Sequence, residues 1–185
     1  MQNIPNTLTF IRIALIPVLM LVFYLPFSWA KPASAIIFAL AAITDWFDGY
    51  LARKLGQQSA LGAFLDPVAD KLIVAAALVM LVAEHPNLLM VVCGVIIIGR
   101  EITISALREW MAEVGKRSKV AVSMLGKLKT TVQMVALLML LYQQDIAGFP
   151  VQQAGMAFLV LASFLTLLSM GIYLRAAWGD LAEYG

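Results

Sequence analysis

The sequence predicts an all-α integral membrane protein, a single domain over residues 1–185 crossing the membrane in six transmembrane helices. Three observations carry this. The 185 residues are 62% hydrophobic and 13% charged, with a mean hydropathy of +0.90, whereas a soluble domain is about half apolar and about a quarter charged. Six apolar segments approach the ~20 residues that span a bilayer as a helix. With six crossings, every lysine and arginine except Lys31 falls on one side.

The first segment, about 7–24, is apolar apart from Arg12 and is broken by LPFSWAKP. We read it as a retained helix, not a cleaved leader, because Arg12 lies inside it and no Lys or Arg precedes it. The second, about 33–54, ends before Gly56 and the polar QQS; the third, about 61–83, ends at the turn EHPN. The fourth, about 88–106, is followed by the polar, basic and partly amphipathic LREWMAEVGKRSK. The fifth, about 120–142, is closed by QQDIAGFP, and the sixth covers about 151–177. There is no internal repeat or low-complexity tract. Cys93, the sole cysteine, sits in VVCGVIII and reads as a buried small hydrophobe. Net charge of +2 gives no reason to expect a nucleic-acid partner.

The distribution of basic residues sets the orientation. Both termini, the second-to-third and the fourth-to-fifth connections share the side that holds the Lys and Arg excess, so both termini are expected in the cytoplasm. Trp29, Trp110 and Trp178 flank the segments and suit anchoring at the membrane surface.

The stretch DWFDGYLARKLGQQSALGAFLDPVADK, at 45–71, then needs explaining. A charged side chain at the bilayer centre costs at least ~3 kcal/mol, yet the stretch holds Asp45, Asp48, Asp66 and Asp70. Asp45 and Asp48, three apart, share one helix face; so do Asp66 and Asp70, four apart. A short connection makes the second and third helices antiparallel neighbours, so all four carboxylates converge at similar depth near the cytoplasmic surface. Anions that converge repel, and Arg53, Lys54 and Lys71 are fewer than the aspartates. Protons, basic side chains or cations must offset the repulsion; two divalent metals carry the required charge, and hard oxygen ligands suit Mg²⁺ or Mn²⁺. Gly49, Ala52 and Gly62 beside them permit close helix approach and leave room for a ligand. Arg53 returns to nearly the face of Asp45, where a guanidinium can fork onto phosphate oxygens.

The spacing Asp45-x-x-Asp48-Gly49-x-x-Ala52-Arg53, eight residues, Gly62, then Asp66 and Asp70 resembles the signature of the CDP-alcohol phosphotransferase family at every fixed position. NIPNTLTFIRI, GREITISALREW and GKLKTTVQM resemble its bacterial branch that acts on glycerol 3-phosphate, so the similarity covers most of the chain. The resemblance implies a six-helix membrane fold, a homodimer, a site open to the cytoplasmic face of the bacterial inner membrane, and two Mg²⁺ or Mn²⁺ ions. It implies that Asp45 and Asp66 bridge both metals, that Asp48 holds one and Asp70 the other, and that Asp70 is also the general base. Gly49, Arg53 and Ser59 would contact the CDP group of CDP-diacylglycerol, with Ala52 and Gly62 at the nucleotide pocket and Asn6 and Thr9 helping to hold nucleotide and pyrophosphate. The expected reaction transfers a phosphatidyl group to sn-glycerol 3-phosphate, giving phosphatidylglycerol phosphate and CMP.

The signature reports the CDP half alone, so serine or inositol phosphate stay open as acceptors. A dianionic acceptor needs cations, and Arg100, Arg108, Lys127 and Lys129 at the cytoplasmic ends of the fourth and fifth helices are the candidates, with Glu101 placed to pair with one of them. Carboxylates within membrane helices also mark cation transporters. Against that reading, the aspartates cluster at one face and no charged path crosses to the other.

Overall fold

The computed structural model describes residues 4–55, 60–114 and 124–184, with the side chains of 4–6, 45–55, 60, 63, 124, 125, 127 and 176–184 outside the description. The described residues form six helices and no strand: α1 (Ile4–Phe23), α2 (Ala30–Leu55), α3 (Ala60–Glu84), α4 (Leu88–Glu113), α5 (Met124–Tyr142) and α6 (Val151–Tyr184). The chain divides into two compact units. One takes in the chain up to Glu84 with Leu138–Gln152; the other takes in His85–Leu137 and the chain from Gln153 onward.

In the first unit α1 packs on both α2 and α3. The inward face of α1 carries Thr9, Arg12, Leu19 and Phe23, all buried, at steps of three, seven and four that follow the helical repeat. Its other face shows Phe10, Ile11, Val18 and Leu21, as a helix surrounded by hydrocarbon would. On α2 the inward positions are Ser34, Ala35, Phe38 and Ala41; on α3 they are Ala69, Ile73, Ala77 and Leu81. The alanines let the three backbones approach closely. Away from the aspartates, Lys31 bonds Glu84 at 2.7 Å and lies 3.5 Å from the ring centre of Phe23. The turn before α6 takes positive φ at Gln143, Ala147 and Gly148. Gln144 donates from it to the Ser28 carbonyl at 2.8 Å.

In the second unit α4 opens on Asn87, whose side chain accepts from the Met90 N–H, satisfying one of the donors a helix start leaves orphaned. Its buried stripe runs Met90, Cys93, Ile97, Arg100, Ile104, Leu107 and Met111, so Cys93 is a buried thiol as its surroundings in sequence predicted. The helix continues to Glu113, seven residues past the expected end. Leu107 and Met111 explain this: with Ile104 and Tyr173 they close a small apolar cluster, and that packing holds a polar segment helical. On α6 the buried positions Leu159, Ala162, Ser163, Thr166, Ser169 and Tyr173 include three hydroxyl groups of Ser and Thr. The opposite face carries exposed Phe164, Leu167, Leu168 and Ile172.

Among the described residues, Leu88–Glu113 and Val151–Arg175 are long and apolar enough to cross a membrane; Thr7–Phe23, Ala30–Thr44 and Leu128–Tyr142 are shorter apolar stretches. The helix start at Asn87 yields a first test. Asn87→Ala removes the cap and is expected to cost about 1 kcal/mol, measured as a lowered Tm of the detergent-solubilised protein.

Candidate active site

Asp66 and Asp70 lie on α3, four residues apart and thus on one face. Each accepts a hydrogen bond from α1. The Thr9 hydroxyl donates to Asp66 Oδ1, and Arg12 Nη1 donates to Asp70 Oδ1 at 2.7 Å. The donors are sealed in, with Thr9 0% and Arg12 1% exposed, while the Asp70 side chain is 46% exposed. Gly62, one turn before Asp66, is buried on the same helix. Pro67 follows Asp66 inside the helix; lacking an N–H, it cannot bond the carbonyl four residues back.

The remaining residues of the carboxylate motif fall differently. Asp45, Asp48, Gly49, Ala52 and Arg53 are on α2, and Asn6 is in the first turn of α1, with side chains outside the described residues. Ser59 is itself outside them. Among the described residues no three His, Cys, Asp or Glu side chains gather as a metal cluster; Asp66 and Asp70 are the described half of the predicted quartet.

Sequence reasoning used Arg12 as an argument against a cleaved leader and as one of the cytoplasmic charges, and missed its bond to Asp70. A signal existed. Thr9 and Arg12 are three apart on α1, and Asp66 and Asp70 are four apart on α3, so two donors on one face match two acceptors on another.

The cationic residues assemble in the second unit. Glu101 Oε1 accepts from Arg100 Nη1 at 2.9 Å and from Lys129 Nζ at 2.7 Å, which joins α4 to α5. Arg100 and Lys129 are both buried. Arg100 also reaches Ser169 of α6 at 3.5 Å. The guanidinium carbons of Arg100 and Arg108 lie 5.8 and 5.6 Å from the ring centre of Tyr173, within cation–π range. The Nε atoms of Arg100 and Arg108 are buried without a hydrogen-bond partner among the described residues. A buried donor left unmet costs about 1–3 kcal/mol. The Lys127 side chain is outside the described residues.

The family model described as CDP-alcohol phosphatidyltransferase matches residues 2–169. A protein of Salmonella choleraesuis (strain SC-B67) named CDP-diacylglycerol--glycerol-3-phosphate 3-phosphatidyltransferase is 56% identical over 181 residues, covering 98% of each chain. A protein of Escherichia coli (strain K12) with the same name is 54% identical over 181 residues at the same coverage.

The carboxylate between Arg100 and Lys129 makes the second unit testable. Glu101→Ala leaves two buried cations without their anion and is expected to cost about 3 kcal/mol or more, read as a lowered Tm in detergent. Glu101→Gln, which keeps an acceptor oxygen, is expected to lose less.

Proposed function

Because the chain belongs to the CDP-alcohol phosphatidyltransferase family, we infer that it transfers a phosphatidyl group from CDP-diacylglycerol to glycerol 3-phosphate, releasing CMP and forming phosphatidylglycerol phosphate. The observation that carries this is identity of about 55% along 98% of the chain with proteins named for that reaction. The enzyme is all-helical and apolar enough to reside in a membrane. We propose that it crosses the bacterial inner membrane six times, with both termini and the site on the cytoplasmic side, and works as a homodimer.

The described carboxylates fit a divalent cation. Asp66 and Asp70 present oxygen donors from one face of α3, and Asp70 is open to solvent, as a hard ion that keeps part of its water requires. Asp45, Asp48, Asp66 and Asp70 would hold two Mg²⁺ or Mn²⁺. When bound, such ions offset the negative charge of a pyrophosphate and steady the departing phosphate. The chain's own groups do the rest. Gly49, Ala52, Arg53, Ser59 and Gly62, with Asn6, hold the CDP portion, and the Arg53 guanidinium binds phosphate oxygens in a fork; Thr9, expected to share that task, is 0% exposed and gives its hydroxyl to Asp66. Asp70 accepts the proton of the acceptor's 1-hydroxyl. That oxygen bonds to the lipid-side phosphorus, the phosphorus–oxygen bond to CMP breaks, and the electron pair leaves with CMP.

Arg100, Arg108, Lys127 and Lys129 hold the acceptor's phosphate. With Glu101 counted against Arg100, Arg108 and Lys129, the described cluster carries a surplus of two positive charges, the complement of a phosphomonoester dianion. A neutral acceptor such as serine would leave that surplus unmet. The two buried Nε donors favour the same assignment.

Purified protein given CDP-diacylglycerol and labelled glycerol 3-phosphate is expected to yield labelled phosphatidylglycerol phosphate and CMP, to stop with EDTA, and to give no lipid product from labelled serine or inositol phosphate. Asp70→Asn is expected to lower kcat by about 10²-fold or more while CDP-diacylglycerol affinity changes little. Arg108→Gln is expected to raise KM for glycerol 3-phosphate about tenfold and to leave KM for CDP-diacylglycerol nearly constant. An equal rise in both would remove Arg108 from the acceptor site.

A further inference from the structure

Arg12 is an unusual residue to find at 1% exposure in an apolar helix. A guanidinium there persists only when it is paired and put to use. Its Nη1 lies 2.7 Å from Asp70 Oδ1, and the two ends of that pair differ sharply, with side-chain exposures of 1% and 46%. Thr9, 0% exposed, stands in the same relation to Asp66. Two sealed donors on α1 therefore back two carboxylates on α3.

The match is in register. Residue 9 meets 66 and residue 12 meets 70, so both helices advance in the same direction. The donors are separated by about 4.5 Å along their axis and the acceptors by about 6 Å. The long arginine side chain, on the farther pair, takes up the difference. Enclosed as they are, neither donor has an open path to a substrate. Their described side-chain hydrogen bonds go to the two carboxylates.

We infer that Thr9 and Arg12 are positioning residues: each bonds one oxygen of Asp66 or Asp70 and fixes the carboxylate in the orientation that receives a divalent cation. The inference rests on the reading of Asp66 and Asp70 as metal-holding groups. Groups that orient metal ligands from behind typically carry 10–100-fold in metal affinity or activity. The same geometry accounts for a threonine at position 9, since its hydroxyl supplies a neutral donor where a second cation would oppose the incoming ion.

The experiment is Mn²⁺ binding to the full chain in detergent micelles, without substrate, read from the EPR signal of free Mn²⁺ and paired with steady-state kinetics. Arg12→Met is expected to weaken Mn²⁺ binding about tenfold and to lower kcat by at least as much, with KM for both substrates within about twofold. Arg12→Lys, which keeps one charged donor, is expected to recover most of both. Thr9→Val, which keeps the volume and alters no charge, is expected to weaken Mn²⁺ binding, and Thr9→Ser to restore it. Thr9→Val decides the matter if Arg12→Met does not fold. Wild-type Mn²⁺ affinity in Arg12→Met or Thr9→Val overturns the inference, as does a rise in KM with kcat unchanged. Asp66→Asn and Asp70→Asn separate the two levels: if they too bind Mn²⁺ like wild type, the metal-site reading itself fails. If they bind weakly while the α1 variants do not, only the positioning role fails.

Discussion

A carboxylate in a largely apolar helix must be held by something, and in the first unit the holder is α1. Thr9 and Arg12 give Asp66 and Asp70 their hydrogen bonds, and the rest of that unit follows from bringing those four side chains together. The inward face of α1 must carry its donors at helical spacing, and α1 must lie parallel to α3. Alanines at 69 and 77 on α3 and at 35 and 41 on α2 leave room for the close approach. A larger side chain at any of these positions would push the backbones apart, and a hydrogen bond of 2.7 Å does not stretch to follow.

The second unit answers the same constraint with the signs exchanged. Arg100 and Lys129 are buried cations, and one carboxylate, Glu101, serves both. Tyr173 adds the face of its ring to Arg100 and Arg108. Sharing one anion among several cations leaves net positive charge in a place largely shielded from water, where electrostatic attraction is stronger than in solution.

Much of this was legible from residue order. Six helices follow from six apolar segments, and most ends fall within a few residues of the expected ones because Pro, Gly and polar runs punctuate them. Arg100, Arg108 and Lys129 were picked out as cations at helix ends, and Glu101 as a partner for one of them, since the acid sits next to Arg100 in the chain. Two features were harder. The extension of α4 through LREWMAE is polar, so a search for apolar segments stops early; the signal lay in the spacing of Ile104, Leu107 and Met111. The Arg12–Asp70 bond joins residues 58 apart, and no local pattern reports which faces of two helices will meet. Counting charge by membrane side also assigned Arg12 a sufficient role, which hid the need to ask what it touched.

The hydroxyl groups on the inner side of α6 have a mechanical meaning. Ser163, Thr166 and Ser169 face inward while Phe164, Leu167 and Leu168 face out, and Ser169 meets Arg100. Turning this helix by half a revolution about its own axis would bring hydroxyls toward acyl chains and take Ser169 away from the Arg100 guanidinium. Leucine side chains, for their part, gain little from exchanging lipid for protein. A single small hydroxyl set against a guanidinium thereby gives a long apolar rod a preferred rotation that apolar attraction alone would not select.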